Sequence, residues 1–202
     1  MQPIPGSYPA TLSYDPPERI AHWRPLVQWF LAIPHWAVLY AMRTVAEVLA
    51  VISWFIILFT GRLPDGIANF QSMYLRYQAR AATYGGFLRE EYPPFAFATS
   101  SPDPGDVARL RVDIRPALAN RNRLTVGFRL ILAIPHAVVL VILLIASLVV
   151  FIIGFFAVLF TGRWPEGLRN FVVNVMRYQL RFETYLSLLV DVYPPFALNV
   201  PA

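Results

Sequence analysis

Two stretches of the chain, 101 positions apart, have nearly the same sequence. Residues Leu58–Phe70 read LFTGRLPDGIANF, and residues Leu159–Phe171 read LFTGRWPEGLRNF. Three shorter motifs repeat at the same displacement: LAIPH (Leu31–His35, Leu132–His136), RYQ (Arg76–Gln78, Arg177–Gln179) and YPPFA (Tyr92–Ala96, Tyr193–Ala197). A fixed displacement of this size is typical of a duplicated structural unit. The sequence therefore predicts tandem units over residues 1–98 and 107–202, joined by a linker at residues 99–106.

The composition favours a membrane protein. Hydrophobic residues make up 57% of the 202 residues and charged residues 14%, whereas soluble domains carry about 25% charged residues. Residues Ala137–Phe160 carry no charge over 24 positions, which exceeds the roughly 20 residues needed to cross a bilayer core. The matching segment Trp36–Phe59 is as long but contains Arg43 and Glu47. We expect both segments to span the membrane, because the core helix of a soluble protein is rarely this long and apolar.

A proline near the start of each apolar segment predicts a kink or a break in the helix, because proline removes a backbone donor. These residues are Pro34 and Pro135, and a histidine follows each of them, His35 and His136. We expect the histidines to bond to backbone groups freed near the lipid headgroups. A proton relay is the alternative, since ionisable groups inside a membrane are often functional.

Each LFTGR motif predicts a corner between two helices. The glycine suits the left-handed position that ends a helix, and the proline suits the first turn of the next helix. The arginine between them is placed to reach lipid phosphates or the last helical carbonyls. The corner residues are Gly61, Arg62 and Pro64 in the first unit and Gly162, Arg163 and Pro165 in the second.

The helix after each corner is predicted to be amphipathic, over residues 66–88 and 167–190. Its polar face carries two arginines per unit: Arg76, Arg80, Arg177 and Arg181. We predict that these arginines bind lipid phosphate or the acidic surface of a partner, because a guanidinium is costly in hydrocarbon. These helices either return across the membrane, which we favour, or lie in its interface with the two units crossing in opposite directions.

Short strands are predicted where apolar and polar residues alternate or where a double proline ends a helix. They are Tyr8–Tyr14, Phe95–Thr99, Val107–Ile114 and Phe196–Val200. If the amphipathic helices span, the strands share one membrane side with most arginines, which places the termini in the cytoplasm. The predicted fold class is an all-α membrane protein of two tandem repeats, each with a kinked transmembrane helix and an amphipathic membrane helix, with short β-strands at the membrane surface.

The motifs, in this order and twice, resemble a known family. AIPH, LFTGRxPxG, RYQxR and YPPF are similar to those of bacterial, often actinobacterial, integral membrane proteins that share a domain of unknown function, frequently in tandem. The resemblance implies a duplicated domain and the bacterial inner membrane, with several passes. It implies no activity, so no catalytic residue is carried over.

The sequence offers little for catalysis. There is no cysteine, which excludes disulfides and cysteine metal sites. The three histidines are not spaced as metal ligands, so we expect no metal and no cofactor. The net charge is +5, but the arginines flank apolar segments, which favours lipid over nucleic acid as the counter-charge.

Three classes of function follow. The first, which we favour, is a non-catalytic accessory or scaffold subunit of a larger membrane complex that contacts anionic lipid. The second is a small oligomeric transporter or channel, because internal repeats are common in transporters. The third is an enzyme acting on lipid headgroups, which the missing acid–base residues disfavour.

Arg43 and Glu47 are expected to pair. The second unit has Leu144 and Leu148 at the matching positions. This difference predicts that the face of the first long helix that carries Arg43 and Glu47 docks on a partner.

Overall fold

The computed structural model describes residues 8–99, 103 and 109–198. Within these residues the chain forms six helices and two strands. The helices are α1 (Arg24–Leu31), α2 (Ile33–Thr60), α3 (Asp65–Gly85), α4 (Arg123–Gly127), α5 (Arg129–Thr161) and α6 (Glu166–Leu186), and the strands are β1 (Ala10–Tyr14) and β2 (Leu110–Ile114). The mostly helical architecture with two repeated units is as predicted. Of the predicted linker, only Asp103 lies in the described residues.

The long helices α2 and α5 each bury a single stripe of side chains. The buried positions recur every four or seven residues, which keeps them on one face of a helix. They are His35, Leu39, Ala46, Ser53 and Ile57 in α2, and their equivalents His136, Leu140, Ser147, Gly154 and Val158 in α5. Most other positions of the two helices are large, apolar and exposed. Residues 24–60 and 129–161 are long and apolar enough to cross a membrane.

The two helical prolines have different effects. In the first unit the helix is interrupted at Ala32, and Pro34 lies in the first turn of α2. In the second unit α5 continues through Pro135. The interruption there lies earlier, at Phe128 between α4 and α5. The predicted break at proline is therefore confirmed in the first unit, and in the second the break is displaced toward the start of the helix.

The two long helices run in opposite directions. Ile20 N donates to Gly162 O at 2.9 Å, which joins the start of the first unit to the end of α5. At the other end of the molecule, Arg121 N donates to Gly61 O at 3.2 Å and Trp54 Nε1 donates to Val126 O at 3.0 Å. The start of each unit thus packs on the end of the other unit's long helix. This differs from the arrangement favoured from sequence, in which both long helices run the same way.

The two strands form one antiparallel sheet with Ala10 opposite Ile114 and Tyr14 opposite Leu110. Its inner face is apolar and buried, and its outer face carries polar residues that include Ser13, Arg111 and Asp113. Strand β1 packs on α6 and β2 on α3.

Two of the four predicted strands are not found. Residues 95–99 form no strand, and neither do residues 196–198, the described part of the other prediction. Both segments follow a double proline, which supplies no ladder donor. Their phenylalanines, Phe95 and Phe196, pack instead on the buried histidines.

The elements stack in three layers. Arg76 and Arg80 lie on the face of α3 toward the sheet, and Gln71, Tyr74 and Gln78 lie on the opposite face, as the helical period requires. Gln71 Nε2 donates to Ala46 O of α2 at 2.7 Å, so this opposite face is turned to the long helices. The middle layer of α3 and α6 therefore separates an apolar layer of long helices from the polar sheet.

Candidate functional site

The repeated motifs of the first unit meet at His35. Its Nδ1 lies 2.6 Å from the hydroxyl of Tyr77, the tyrosine of the RYQ motif. The ring stacks on Phe95 of the YPPFA motif, with centroids 4.4 Å apart and planes 13° apart. Tyr92 of the same motif lies 4.7 Å from it. His35 is fully buried, and we call these enclosing side chains and the histidine the histidine cage.

The second unit builds the same cage around His136. Its Nδ1 lies 2.5 Å from the hydroxyl of Tyr178, and its ring stacks on Phe196 with centroids 4.0 Å apart. Tyr193 packs against the ring and donates its hydroxyl to Leu132 O at 3.1 Å. Leu132 lies in the helical turn before Pro135, so this bond joins the segment after α6 to the first part of α5.

The cages correct the role expected of the histidines. We predicted that they bond to freed backbone near headgroups, and the Nδ1 atom of each pairs with a tyrosine hydroxyl in the interior instead. A stacked and hydrogen-bonded ring joins the long helix, the amphipathic helix and the segment after it. The shared displacement of the three motifs was the signal in the sequence that they belong to one cluster. The proton relay stays a prediction.

The arginines of α3 and α6 hold the sheet on the helices. Arg76 Nε donates to Val112 O of β2 at 3.2 Å, and Arg177 Nε donates to Leu12 O of β1 at 3.0 Å. Each unit thus holds, by the same contact, the strand that precedes the helices of the other unit. These bonds use strand carbonyls that a two-stranded sheet leaves without a ladder partner.

The second arginine of each pair fixes an irregular segment. Arg80 Nη2 binds Asp103 Oδ1 at 2.5 Å, and Arg181 Nη2 donates to Ala197 O at 2.6 Å. Asp103 was a part of the predicted linker, and sequence reasoning did not identify it as a partner. All four arginines have acceptors within the chain, so lipid is not needed to explain their burial. Binding of lipid or a partner by them stays a prediction that no contact in the structure tests.

The corner glycines have the predicted conformation. Gly61 has φ 70° and Gly162 has φ 67°, in the left-handed region at the ends of α2 and α5. Pro64 and Pro165 cap α3 and α6 from the position just before the first helical residue. Arg62 and Arg163 are exposed beside the ends of the long helices. Their contact with lipid phosphate stays a prediction.

A protein-family model matches both repeated units. A family model described as Domain of unknown function (DUF4389) matches residues 23–96 and again residues 123–197. The chain belongs to this family. Both DUF4389 matches contain a complete histidine cage, whereas strands β1 and β2 lie outside them. No curated protein and no solved structure gives a significant match.

The two DUF4389 units differ most on their long helices. Arg43 Nε donates to Glu47 Oε1 at 2.7 Å, which confirms the predicted pair, and the two side chains are 69% and 64% exposed. The second unit has Leu144 and Leu148 at the matching positions. The charged pair therefore lies on the outer surface of one DUF4389 unit only.

A second difference lies at the end of the amphipathic helices. In the first DUF4389 unit, Gln28 Nε2 donates to the carbonyls of Tyr84 and Arg89. In the second unit, Arg129 stands at the position of Gln28 and donates to the matching carbonyls, those of Tyr185 at 2.8 Å and Val190 at 2.6 Å. The amide of Gln28 and the guanidinium of Arg129 thus donate to equivalent carbonyls in the two units.

The guanidinium of the second unit requires a counter-charge, and Asp191 provides it. Asp191 Oδ1 lies 2.6 Å from Nη2 of both Arg121 and Arg129. Burial alone would raise the pKa of Asp191, but the bonds from the two arginines hold that pKa below its usual value. Among the described residues no group of three or more metal-ligating side chains could hold a metal ion.

Proposed function

We propose that this protein is a non-catalytic accessory or scaffold subunit of a membrane-protein complex in the bacterial inner membrane. The proposal rests on the way apolar and polar residues are distributed between the two outer layers of the molecule. Apart from the pair Arg43 and Glu47, the outer face of the long helices is apolar, and the outer face of the sheet is polar. An apolar surface of this extent on a folded chain favours burial in lipid.

The internal contacts of the buried histidines and of Asp191 support a role without catalysis. The histidines are enclosed by aromatic rings, and Asp191 is bound by two arginines. Catalytic groups need access to a substrate and a place for the reacting atom. The groups buried in these cages and ion pairs are instead used to join helices to one another.

The layering favours a membrane-surface placement in which α2 and α5 lie along the membrane. If both crossed the bilayer, the sheet beside α3 and α6 would lie at bilayer depth. Sheet edges and charged side chains such as Arg111 and Asp113 are not tolerated against lipid. With both long helices along the membrane, their apolar outer face would be buried in lipid and the sheet would stay in water. The multi-pass arrangement expected from sequence stays a prediction, which the cysteine labelling described below distinguishes from this placement.

The polar layer is then proposed to face the cytoplasm. Anionic lipid on the cytoplasmic leaflet attracts arginines near the membrane surface, and Arg62 and Arg163 lie exposed at the ends of the embedded helices. Tyr8, the first described residue, bonds to the carbonyls of Arg181 and Val192 beside the sheet, and cytoplasmic termini remain part of the proposal.

Purification of the native protein in mild detergent tests the proposed function. We expect the protein in the membrane fraction after an alkaline carbonate wash, and we expect a membrane protein to accompany it in fixed proportion. A homo-oligomer that conducts ions in liposomes would contradict the accessory role and favour the channel. A protein found in the wash would contradict the membrane placement itself.

Labelling of single cysteines tests the placement, because the natural chain contains no cysteine. We expect Ser13→Cys, Arg62→Cys and Arg163→Cys to react with a membrane-impermeant maleimide from the same side. All three positions are exposed. Antiparallel spanning helices would instead place Arg62 and Arg163 on opposite sides. Two membrane-spanning hairpins would place both arginines opposite Ser13. Either of these patterns overturns the surface placement.

A further inference from the structure

A polar groove lies between α2 and α5 on the face away from the sheet. Its floor consists of Gln78 of α3 with Gln179 and Glu183 of α6. Glu183 Oε1 accepts a bond from Gln78 Nε2 at 3.1 Å and one from Gln179 Nε2 at 2.8 Å. The pair Arg43 and Glu47 forms one rim, and the groove encloses about 370 Å³.

An apolar groove continues from the polar one. It is lined by side chains that include Val51, Trp54 and Leu130, and it encloses about 430 Å³. The two grooves share Glu47, Ala50 and Leu186 in their walls. A charged site and an apolar trough therefore adjoin each other on the lipid-facing layer.

The repeat itself shows what closes such a trough. The second unit has Phe151 where the first has Ala50, and Phe151 packs against Gly86 and the Trp164 ring. The next turn adds Phe155, whose ring lies 5.9 Å from that of Phe87. The trough is open beside the first unit because a small residue stands where the other unit has a phenylalanine.

The polar groove contains oxygen acceptors that are available to a hydrogen-bond donor. Gln78 Oε1 is buried and has no hydrogen-bond partner among the described residues. Burial raises the pKa of Glu183, so a cation beside its carboxylate would favour the ionised form. On the rim, Arg43 bonds to Glu47 through Nε, so the N–H donors of its Nη groups are available to a further acceptor.

We propose that the two grooves bind one phospholipid whose headgroup carries a primary ammonium. The ammonium donates to Glu183 and to Gln78 Oε1, and Arg43 binds the phosphate. One acyl chain lies in the apolar groove beside Trp54. This proposal rests on the proposed membrane placement, since the lipid enters from the layer into which α2 and α5 are embedded.

The chemistry favours a primary ammonium over a quaternary one. The floor offers oxygen acceptors, and a primary ammonium brings three N–H donors to them. A trimethylated ammonium has no N–H group and leaves the buried Gln78 oxygen unpaired, which costs binding free energy. Headgroup selectivity therefore distinguishes this site from the general solvation of apolar helices by lipid.

Lipid analysis of the purified protein tests the proposal. The protein is reconstituted in equal amounts of phosphatidylethanolamine and phosphatidylcholine, re-extracted in mild detergent, and its retained lipid is identified by mass spectrometry. We expect phosphatidylethanolamine to be retained about tenfold over phosphatidylcholine, a ratio that corresponds to about 1.4 kcal/mol. Ala50→Phe, which copies Phe151, and Glu183→Gln should each abolish this preference.

The matched control is Ala41→Phe. Ala41 is exposed and precedes Ala50 by nine residues, which places it on the opposite side of α2 at 100° per residue. We expect it to retain the preference. Equal retention of the two lipids by the natural chain would overturn the site, and so would unchanged headgroup selectivity in Ala50→Phe. A crosslinker at position 50 that captures a protein segment in place of lipid would overturn it as well. A chain that enters the mixed vesicles but retains the two lipids equally refutes this site alone, and a chain that does not enter the vesicles refutes the membrane placement as well.

Discussion

Replacement of Asp191 by asparagine is expected to lower the free energy of unfolding by about 3–5 kcal/mol, the cost of removing one partner from a buried ion pair. The side chains of Arg121 and Arg129 are 0% and 1% exposed, and both bind this carboxylate. Asparagine keeps the shape but leaves two buried guanidinium groups without a counter-charge. Thermal unfolding followed by size-exclusion chromatography in detergent measures the loss.

The first unit provides the matched control for Asp191. Glu90 stands at the equivalent position, where it accepts a bond from the backbone N–H of Ala21. The equivalents of the two arginines are Ile20 and Gln28, which carry no charge. Glu90→Gln should therefore cost about 1 kcal/mol or less. Equal losses of unfolding free energy in the two variants would show that the ion pairs of Asp191 stabilise the fold no more than the backbone contact of Glu90 does.

The same carboxylate makes stability depend on pH. Because the pKa of Asp191 is lower in the folded chain than in the unfolded chain, its contribution is complete above the unfolded pKa of about 4 and is lost as the pH falls through the folded value. The natural chain should lose this contribution on acidification. Asp191→Asn should lack that part of the acid dependence, and an identical pH profile would contradict the assignment.

Replacement of Gly154 by serine is expected to destabilise the protein by about 1–3 kcal/mol, as is usual for overpacking in a core. A Cβ at this position would lie 2.0 Å from Cη2 of the Trp164 ring. The ring cannot move away cheaply, since it is buried and its Nε1 donates to Phe87 O at 2.8 Å. Gly167→Ser is the matched control, because its Cβ would meet nothing within 4 Å.

The first unit predicts how to rescue this substitution. It has Ser53 and Leu63 at the positions of Gly154 and Trp164, and both are buried. Adding Trp164→Leu to Gly154→Ser recreates that pair, so the double variant should lose less stability than the sum of the single variants. Strict additivity in thermal unfolding would mean that the two side chains do not compete for the same space.

Local chemistry made several features predictable from the sequence. The left-handed ends of α2 and α5 follow from glycine at Gly61 and Gly162, because a residue without Cβ adopts this conformation without strain. The Arg43–Glu47 pair follows from helical spacing alone. Strand β1 was predicted from alternation, since a strand with one buried face shows that pattern in its own residues.

The candidate site was only partly predictable, because its partners are distant in the chain. The sequence identified the histidines and the arginines as residues of interest, but it did not predict which groups they contact. His35 meets Phe95, and Arg177 meets the carbonyl of Leu12. Such pairings depend on how the two units pack. The sequence shows that the arginines lie on one face of a helix, but it does not show whether their acceptor is a lipid phosphate or a backbone carbonyl.

The sequence by itself determined the duplication, the two long apolar helices, the corners that end them and the amphipathic helix after each corner, because these depend on neighbours within a few turns. Only the tertiary structure decided that α2 and α5 run in opposite directions, that β1 and β2 pair, and that one sheet covers both units. The physical reason is that identical units carry identical local signals, so their relative direction is set by contacts between them, such as that of Ile20 with Gly162. The open trough at Ala50 also depends on the packing of the two units, because Leu186 of α6 lines it together with Ala50 of α2.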